Sequence, residues 1–304
     1  MKTMPTVTYA VCAYNEGQNI VRHIASVLRQ KEIGFRIEKI LIVSDGSTDN
    51  TVKLAKSQNH KKIEVIAYKN RVGKSSRYNK IYKSLTTDIL VQSDADVVLN
   101  DQYVLSNVIK PLIKHKTVML TSGNSKPLSA KTFTEFAVNK TVEAYQELKY
   151  SVRDGHSIFC VTGQLLASKK EFVKGITIPR TMFADDTYMY LTCISKGYKY
   201  RFVPNAIIMF RSVQTLREQI RQNTRFESAQ QRFKDYFPSE LVDREYYIPS
   251  RLLWKCRFKQ FIRYPIHSFY IYVVNMYCRR KSKSIESKLD AKWSIAETTK
   301  QFLQ

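Results

Sequence analysis

Residues 88–100 read DILVQSDADVVLN, and they hold the pattern that decides the fold. Residues 89–91 are apolar and predict a buried strand, after which Asp94 and Asp96 follow two positions apart. If this segment is extended, both carboxylates point to the same side and repel each other. Mg²⁺ binds such carboxylates in proteins and keeps positions for water and phosphate oxygens, so the pair predicts a metal site. The alternative is an ordinary turn or capping role.

Strand and helix patterns alternate around this stretch. Because helices of about a dozen residues separate the strands, the pattern indicates an α/β fold with a doubly wound, mostly parallel sheet flanked by helices. Ligands of such sheets bind beyond the carboxyl ends of the strands, where three polar segments fall: YNE (14–16), SDGSTD (44–49) and SDAD (93–96). Asp49 or Asn50 is expected to cap the second helix. The predicted strands are 6–14, 37–44, 63–68 and 88–93, and the predicted helices are 17–30, 51–58 and 74–85.

From about residue 130 the helices become longer. An apolar run at 158–168 contains Gly163. No linker or internal repeat interrupts the chain before about residue 235, so we predict one domain over 1–235 and a helical extension over 236–304. The predicted elements of this half are helices at 133–152, 185–197 and 213–226 and a strand at 198–210.

The composition is typical of a folded chain in a reducing compartment. The 304 residues are 43% hydrophobic and 25% charged, enough for a sizeable core. Five dispersed cysteines without a CxxC pair favour neither a disulfide framework nor a zinc site. The short polar start of the chain leads us to expect no signal peptide. These features predict a cytoplasmic protein.

The net charge of +24 indicates a polyanionic neighbour, such as nucleic acid, an anionic membrane surface or phosphorylated substrates. Residues 251–283 hold nine Lys or Arg and no acid, among many aromatic residues. The most apolar run, 264–278, has 15 residues, whereas a spanning helix needs about 20. We therefore predict a peripheral segment at an anionic membrane surface. The alternative is a helix packed on the domain with its cations in water.

Ordered motifs carry a resemblance to a known family. AYNE (13–16), SDGSTDNT (44–51), GKSSRYN (73–79) and SDAD (93–96) resemble the nucleotide-sugar half of the inverting family 2 glycosyltransferases, which have the GT-A fold. VTGQLLASKKE and FADDTYMYLTCISKGYKYRFVPNA continue the match. TLREQIRQNTRF then resembles the Gln-x-x-Arg-Trp signature of the processive and polymer-forming members. The resemblance covers about residues 5–230.

The resemblance implies roles for the donor-side residues. Glu16 matches the acid that contacts the uridine, and Lys74 and Asp94 match residues near the nucleotide. Asp96 matches the main ligand of a Mg²⁺ or Mn²⁺ cofactor, to which Asp94 also contributes. Ser44 stands where the family usually has an acid that reads the uracil. The full set of predicted substrate-binding residues is Tyr14, Glu16, Asp45, Lys74, Asp94, Gly163, Gln222, Arg225 and Phe226.

The resemblance also implies the catalytic residues. Asp186 matches the catalytic base and Asp185 the acid beside it, while Gly163 lies in the segment that lines the acceptor pocket. One carboxylate within hydrogen-bond reach of the acceptor hydroxyl suffices as base. The two aspartates could otherwise be an N-cap pair of their helix. Phe226 is either an aromatic platform for a sugar or an ordinary core residue. The helix that closes under the diphosphate carries Gln222, Arg225 and Phe226.

These observations predict a metal-dependent inverting glycosyltransferase of the hexosyltransferase class. It would move a sugar from a nucleoside-diphosphate sugar, a UDP-sugar by resemblance, to a lipid-linked or glycan acceptor at the cytosolic face of a membrane. A nucleotidyltransferase of similar fold is one alternative, but it needs neither the pair at 185–186 nor the helix at 222–226. A basic nucleic-acid-binding protein is another. The chain lacks a recognisable nucleic-acid motif, so we expect no nucleic-acid partner.

Overall fold

A computed structural model describes residues 4–285 and 297–300 of the chain. Strands and helices alternate through the first half, as predicted. The strands are β1 (Thr6–Ala13), β2 (Arg36–Asp45), β3 (Ile63–Tyr68), β4 (Ile89–Ser93), β5 (Val97–Leu99), β6 (Val118–Pro127), β7 (Leu165–Lys169) and β8 (Lys199–Phe210). The helices are α1 (Ile20–Leu28), α2 (Thr51–Lys56), α3 (Lys74–Ser84), α4 (Val104–Lys114), α5 (Phe133–Ser151), α6 (Lys170–Lys174), α7 (Asp185–Ser195), α8 (Leu216–Phe233), α9 (Ser239–Tyr246), α10 (Ser250–Arg263) and α11 (Pro265–Ile285).

The strands form one mixed sheet in the order β3-β2-β1-β4-β7-β6-β8-β5. The first four strands in this order run parallel, with Tyr9 of β1 between Ile40 of β2 and Val91 of β4. β7 is antiparallel to both β4 and β6, β6 and β8 are parallel, and β5 is antiparallel to β8. The predicted α/β fold with a mostly parallel sheet is confirmed. The two antiparallel strands were not predicted, because periodicity marks a strand without giving its direction.

Both faces of the sheet are covered, since alternate strand residues enter two different cores. Along β1, Tyr9 and Val11 belong to one core and Ala10 to the other. Ile24 of α1 packs into the first core and Tyr82 of α3 into the second. Complete burial of a side chain such as Ile24 contributes about 1.5–3 kcal/mol. This two-sided burial fixes the direction of β1 and so the place where its polar end emerges.

Short turns connect the strands of the parallel half to their helices. Asn15 and Gly73 have positive φ angles of 53° and 96°, a left-handed conformation that Asn tolerates and Gly adopts without steric cost. Asp49 Oδ1 accepts the N–H of Thr51 at 3.0 Å, whereas Asn50 makes no side-chain cap bond. Asp49 is therefore the residue that supports the start of α2.

The segment that holds Asp94 and Asp96 is a turn between β4 and β5. The expectation that both carboxylates point to one side of an extended strand is therefore wrong. A turn changes the side-chain direction at each residue, and here Asp94 approaches Lys74, while Asp96 lies close enough to Glu16 for their charges to interact. The two carboxylates remain neighbours on the same rim of the sheet.

The last helices pack against the rest of the fold. α8 runs seven residues beyond the predicted end at 226, and the Thr215 hydroxyl accepts the N–H of Glu218 as its cap. α11 lies against α5 and α8 and buries Ile271 and Cys278. Within the described residues, none of the helices combines the length and the apolar character needed to cross a membrane. The boundary at 235 stays a prediction, and part of the predicted extension lies outside the described residues.

Candidate functional site

A cleft of about 900 Å³ opens at the carboxyl ends of the parallel strands. Its walls come from the turns after β1, β2 and β4, the start of α7, and α8. The structure brings every predicted site residue to this one cleft, although they come from seven separate segments. They are Tyr14, Glu16, Asp45, Lys74, Asp94, Asp96, Gly163, Asp185, Asp186, Gln222, Arg225 and Phe226.

Lys74, the first residue of α3, joins two acidic segments. Its Nζ lies 2.7 Å from Asp94 Oδ1 and 3.4 Å from Asp185 Oδ2. Burial alone would lower the pKa of Lys74, but Asp185 and Asp94 raise it well above its usual value. The ammonium therefore stays charged and holds the turn after β4 next to the start of α7.

Asp96 lies in a field of negative charge that suits a cation. Burial, with Glu16 and Asp94 nearby, raises the pKa of Asp96 to about 8. A divalent cation would relieve this repulsion, and carboxylates are the ligands that Mg²⁺ and Mn²⁺ prefer. The described residues hold no group of three or more His, Cys, Asp or Glu side chains able to hold a metal ion. Asp94 and Asp96 thus fit a metal that takes its other ligands from water and phosphate oxygens.

Asp186 is held by backbone groups. Its Oδ2 accepts the N–H of Gly163 at 2.8 Å, and its Oδ1 accepts the N–H of Thr187 at 2.7 Å. Burial and the adjacent Asp185 raise the pKa of the Asp186 carboxyl, which Lys74 opposes. The N-cap position of α7 is Ala184, so the alternative of an N-cap pair is wrong.

Gly163 lies beside the ammonium of Lys74 and the carboxylate of Asp186. A Cβ at this position would lie 3.1 Å from Lys74 Nζ and 3.6 Å from Asp186 Oδ2. A Cβ here would make the Lys74 ammonium shift by a few tenths of an ångström, whereas its distance to Asp186 Oδ2 is that of an ordinary contact. The glycine therefore leaves room for the ammonium beside the N–H that it donates to Asp186.

Asp45 is buried at the cleft and uses its carboxylate to hold a turn. Arg77 Nε donates to its Oδ1 at 2.6 Å, Val72 N–H donates to Oδ1 at 3.0 Å, and Gly73 N–H donates to Oδ2 at 2.8 Å. Both members of the ion pair are buried. Asp45 therefore holds the turn that leads into Lys74, and its predicted contact with substrate stays a prediction.

The residues on α8 face the acidic side of the cleft. Burial lowers the pKa of Arg225, while Asp186, Asp94 and Asp185 raise it, which places the guanidinium within the field of all three carboxylates. The Phe226 side chain is 57% exposed, so the alternative of a core residue is wrong. Gln222 lines the same wall.

Comparison with known proteins places the chain in a family. The model of the family described as glycosyl transferase family 2 matches residues 8–174, which is more than half of the chain. The chain belongs to glycosyl transferase family 2. Its eight-stranded α/β sheet has the GT-A fold, as predicted.

Two curated relatives each match part of the chain. A poly-β-1,6-N-acetyl-D-glucosamine synthase from Staphylococcus aureus (strain COL) is 30% identical over 106 residues, 33% of this chain and 25% of the relative. An uncharacterized glycosyltransferase from Haemophilus influenzae is 27% identical over 142 residues, 46% of this chain and 40% of the relative. The matches therefore span well under half of the length of these relatives.

Two solved structures share the fold at low identity. A mannosyltransferase from Pyrobaculum calidifontis, solved with GDP-Man and Mn²⁺, has a TM-score of 0.58 and 18% identity, over 97% of this chain and 77% of that one. Glucosyl-3-phosphoglycerate synthase from Mycobacterium tuberculosis, solved with Mn²⁺, UDP and phosphoglyceric acid, has a TM-score of 0.53 and 15% identity, over 74% and 77%. These likenesses establish the fold of the family 2 chain and nothing finer.

Three cations in the cleft region of this family 2 chain were not singled out from the sequence. Arg77 lies within the motif GKSSRYN, where its partner Asp45 was a possible signal. Lys149 of α5 lines the cleft, and burial lowers the pKa of its ammonium. Lys300 reaches the end of β1 from the far end of the described chain. No sequence pattern signals Lys149 or Lys300, because only the fold places them there.

The Asp45→Asn variant tests whether Asp45 acts by positioning the turn. We expect the free energy of unfolding without ligand to fall by about 3–5 kcal/mol, since the buried guanidinium of Arg77 would lose its counter-charge. Urea denaturation of the ligand-free protein measures this. Glu64→Gln, at the half-exposed pair with Lys39, is the control and should cost less than about 1 kcal/mol. Equal, small effects of both variants would show that Asp45 has no such structural role.

Proposed function

We propose that this family 2 chain is a metal-dependent, inverting glycosyltransferase with a nucleoside-diphosphate sugar as donor and a hydroxyl of a lipid-linked or glycan molecule as acceptor. The observation that carries the proposal is the joint position of Asp186 and the turn at 94–96. Both line one cleft, and Lys74 joins Asp94 of the turn to Asp185, the residue next to Asp186. A base and a diphosphate site must lie this close for a direct displacement.

The donor side of the cleft suits a pyrophosphate. Asp94 and Asp96 would hold Mg²⁺ or Mn²⁺, which when bound offsets the charge of the diphosphate oxygens. Lys74 and Arg225 supply fixed positive charge beside them. The ring of Tyr14 carries the guanidinium of Arg71 4.2 Å from its centre, which provides a flat surface at the end of β1. The donor would be oriented by the metal ion on Asp94 and Asp96 and by the four side chains just described.

Asp186 is suited to act as the general base. Its Oδ1 accepts the N–H and the hydroxyl of Thr187 and its Oδ2 accepts the N–H of Gly163, which fixes the carboxylate while leaving a lone pair on Oδ2 for the acceptor hydroxyl. In the proposed step Asp186 takes the hydroxyl proton as the acceptor oxygen bonds to the anomeric carbon of the sugar. The bond from that carbon to the diphosphate breaks, and the nucleoside diphosphate leaves with the electron pair. A single displacement of this kind inverts the anomeric configuration.

The named relatives support the donor class without fixing it. The mannosyltransferase was solved with GDP-Man, and the glucosyl-3-phosphoglycerate synthase with UDP and with either Mn²⁺ or Mg²⁺. The staphylococcal relative is a synthase of poly-β-1,6-N-acetyl-D-glucosamine. In this chain Ser44 is buried, and its hydroxyl donates to the hydroxyl of Ser47. No carboxylate therefore projects from position 44 towards the nucleobase of the donor. A UDP-sugar remains our first candidate, and GDP-sugars belong in the same screen.

The outer face of α10 and α11 supports a peripheral membrane site. Along α10 the side chains of Trp254, Phe258 and Ile262 are each about two-thirds exposed and follow one another at helical spacing. α11 continues this face with Ile266 and Phe269. Nine Lys or Arg and no acid occur within 251–283, so the face complements an anionic bilayer surface at the cytosolic side.

Asp186→Asn tests the proposed function directly. We expect kcat/KM for sugar transfer to fall by about 10²–10⁴-fold, because the amide cannot accept the hydroxyl proton. A screen of UDP- and GDP-sugars with Mn²⁺ or Mg²⁺ measures donor turnover, with the exposed Asp235→Asn as control. A variant that transfers sugar as fast as wild type would remove Asp186 as base. If the wild-type protein transferred sugar from none of the donors, the nucleotidyltransferase alternative would stand instead.

The pH profile tests the electrostatics of the base. Asp186 must be ionised to accept a proton, so its raised pKa moves the acid limb of kcat/KM above the ordinary range of an Asp. Asp185→Asn removes a like charge, which makes ionisation of Asp186 easier and should shift the limb to lower pH. Measurements from about pH 4, near the ordinary pKa of an Asp, to about pH 9 record the shift. A limb that stays in place or moves upward contradicts this coupling.

Vesicle binding tests the outer face of α10 and α11. We expect sedimentation with phosphatidylglycerol vesicles but not with phosphatidylcholine vesicles, weakening as salt screens the charges. Trp254→Ser with Phe258→Ser should lower binding at least about tenfold, since each buried aromatic contributes about 1.5–3 kcal/mol. Tyr103→Ser, a half-exposed aromatic on the start of α4, is the control. Equal binding of the double variant and the control would show that the outer face of α10 and α11 does not bind the vesicles.

A further inference from the structure

The segment Thr298–Lys300 enters the donor side of the cleft. Lys300 Nζ donates to the carbonyl oxygens of Tyr14 and Asn15, the latter at 2.5 Å, and lies 3.0 Å from Glu16 Oε1. Its side chain is only 12% exposed. A lysine from the far end of the described chain therefore reaches the polar end of β1.

The ammonium of Lys300 is fully occupied by these partners. It has three N–H donors, and two carbonyls and one carboxylate oxygen accept them. No donor remains for a phosphate oxygen, so Lys300 in this position does not act as a ligand of the diphosphate. Its contacts are those of a side chain that fills the site.

Glu16 is covered as well as paired. Its side chain is only 11% exposed, with Oε1 paired to Lys300, and Oε2 accepts the side-chain N–H of Asn19 at 2.9 Å. If Glu16 is to bind a nucleoside hydroxyl, as its position in the proposed donor site suggests, the Lys300 contact has to open. The donor and Lys300 therefore compete for the same carboxylate.

A second anchor ties the segment to α8. Thr298 N–H donates to Glu218 Oε1 at 3.1 Å, and its hydroxyl bonds Glu218 Oε2. Gln214 N–H donates to the Thr298 hydroxyl at 3.1 Å. Because α8 also carries Arg225, the segment spans from the end of β1 to the helix that faces the diphosphate side of the cleft.

We propose that Lys300 is a donor-affinity determinant, which occupies the nucleoside end of the proposed donor site and must be displaced by the nucleoside diphosphate before transfer. This inference rests on the proposed function of the cleft. It makes the apparent donor affinity depend on how often the Lys300 contact is open. A cation-loaded nucleotide is the natural competitor, since it offers both a cation to the acidic pair and hydroxyls to Glu16.

Nucleotide binding to Lys300→Met tests the proposal. Methionine keeps the unbranched stem and removes the ammonium. If the contact is formed nine-tenths of the time, opening it should tighten binding about tenfold. Isothermal titration of UDP and of GDP, each with Mn²⁺, measures this for wild type and variant. Lys114→Met, an exposed lysine at the end of α4, is the control and should bind as wild type does.

Amide hydrogen exchange gives a readout that does not depend on turnover. Nucleotide with Mn²⁺ should speed exchange at residues 298–300 in the wild-type protein, and Lys300→Met should show fast exchange there without nucleotide. Weaker or unchanged binding of both nucleotides to Lys300→Met, or protection of 298–300 by nucleotide, overturns the proposal.

The Asp96→Ala variant distinguishes failure of the Lys300 proposal from failure of the proposed donor site. If Asp96→Ala abolishes nucleotide binding while Lys300→Met leaves it unchanged, only the role of Lys300 is wrong, and if Asp96→Ala binds as wild type does, the donor site is wrong.

Discussion

The contact of Lys74 with two aspartates is the interaction on which the site depends. One ammonium lies 2.7 Å from Asp94 and 3.4 Å from Asp185, so a single cation joins the end of the parallel half-sheet to the start of α7. Without it, carboxylates from distant segments would face one another in a partly buried cleft, which is strongly unfavourable. Gly163 follows from the same constraint, because any Cβ there would crowd the ammonium. The proposed base, Asp186, is thus placed by a chain of contacts that begins at Lys74.

Lys74 itself is placed by a buried ion pair. A buried pair such as Asp45–Arg77 adds little net stability, since desolvation offsets most of the attraction. Its effect here is geometric. The Asp45 carboxylate accepts two backbone N–H groups of the turn before α3, and so selects the left-handed conformation of Gly73 that starts the helix at Lys74. The turn would otherwise have several conformations of similar energy, and the ammonium would have no fixed position.

The parallel half of the sheet and its polar rim could be predicted because both depend on local pattern. Strand periodicity and short polar turns place residues such as Glu16 and Asp96 at one edge whatever the rest of the chain does. The other features of the fold and the site depend on contacts between residues that are distant in the chain, so the sequence did not predict them. Asp45 resembles an exposed turn acid until Arg77 covers it, and the direction of β7 is set by the two strands beside it. Lys300 looks by composition like one more cation of a basic tail.

The C-terminal helices place the proposed membrane face one helix away from the cleft. On its inner side α11 is hydrogen-bonded to α8, through Asn275 and Asn223 at 2.8 Å and through Tyr270 and Gln219 at 2.8 Å. α8 carries Arg225 on its cleft side and the anchor of Thr298 near its start. A bilayer that held the outer face of α11 would therefore restrain the same helix to which the Lys300 segment is tied. Because these part-buried polar contacts join the two helices, α8 cannot shift unless α11 moves with it or those bonds break. In the proposed arrangement, membrane contact and donor access would act on the same helix, so a lipid-linked acceptor and a nucleotide-sugar donor would influence each other's binding.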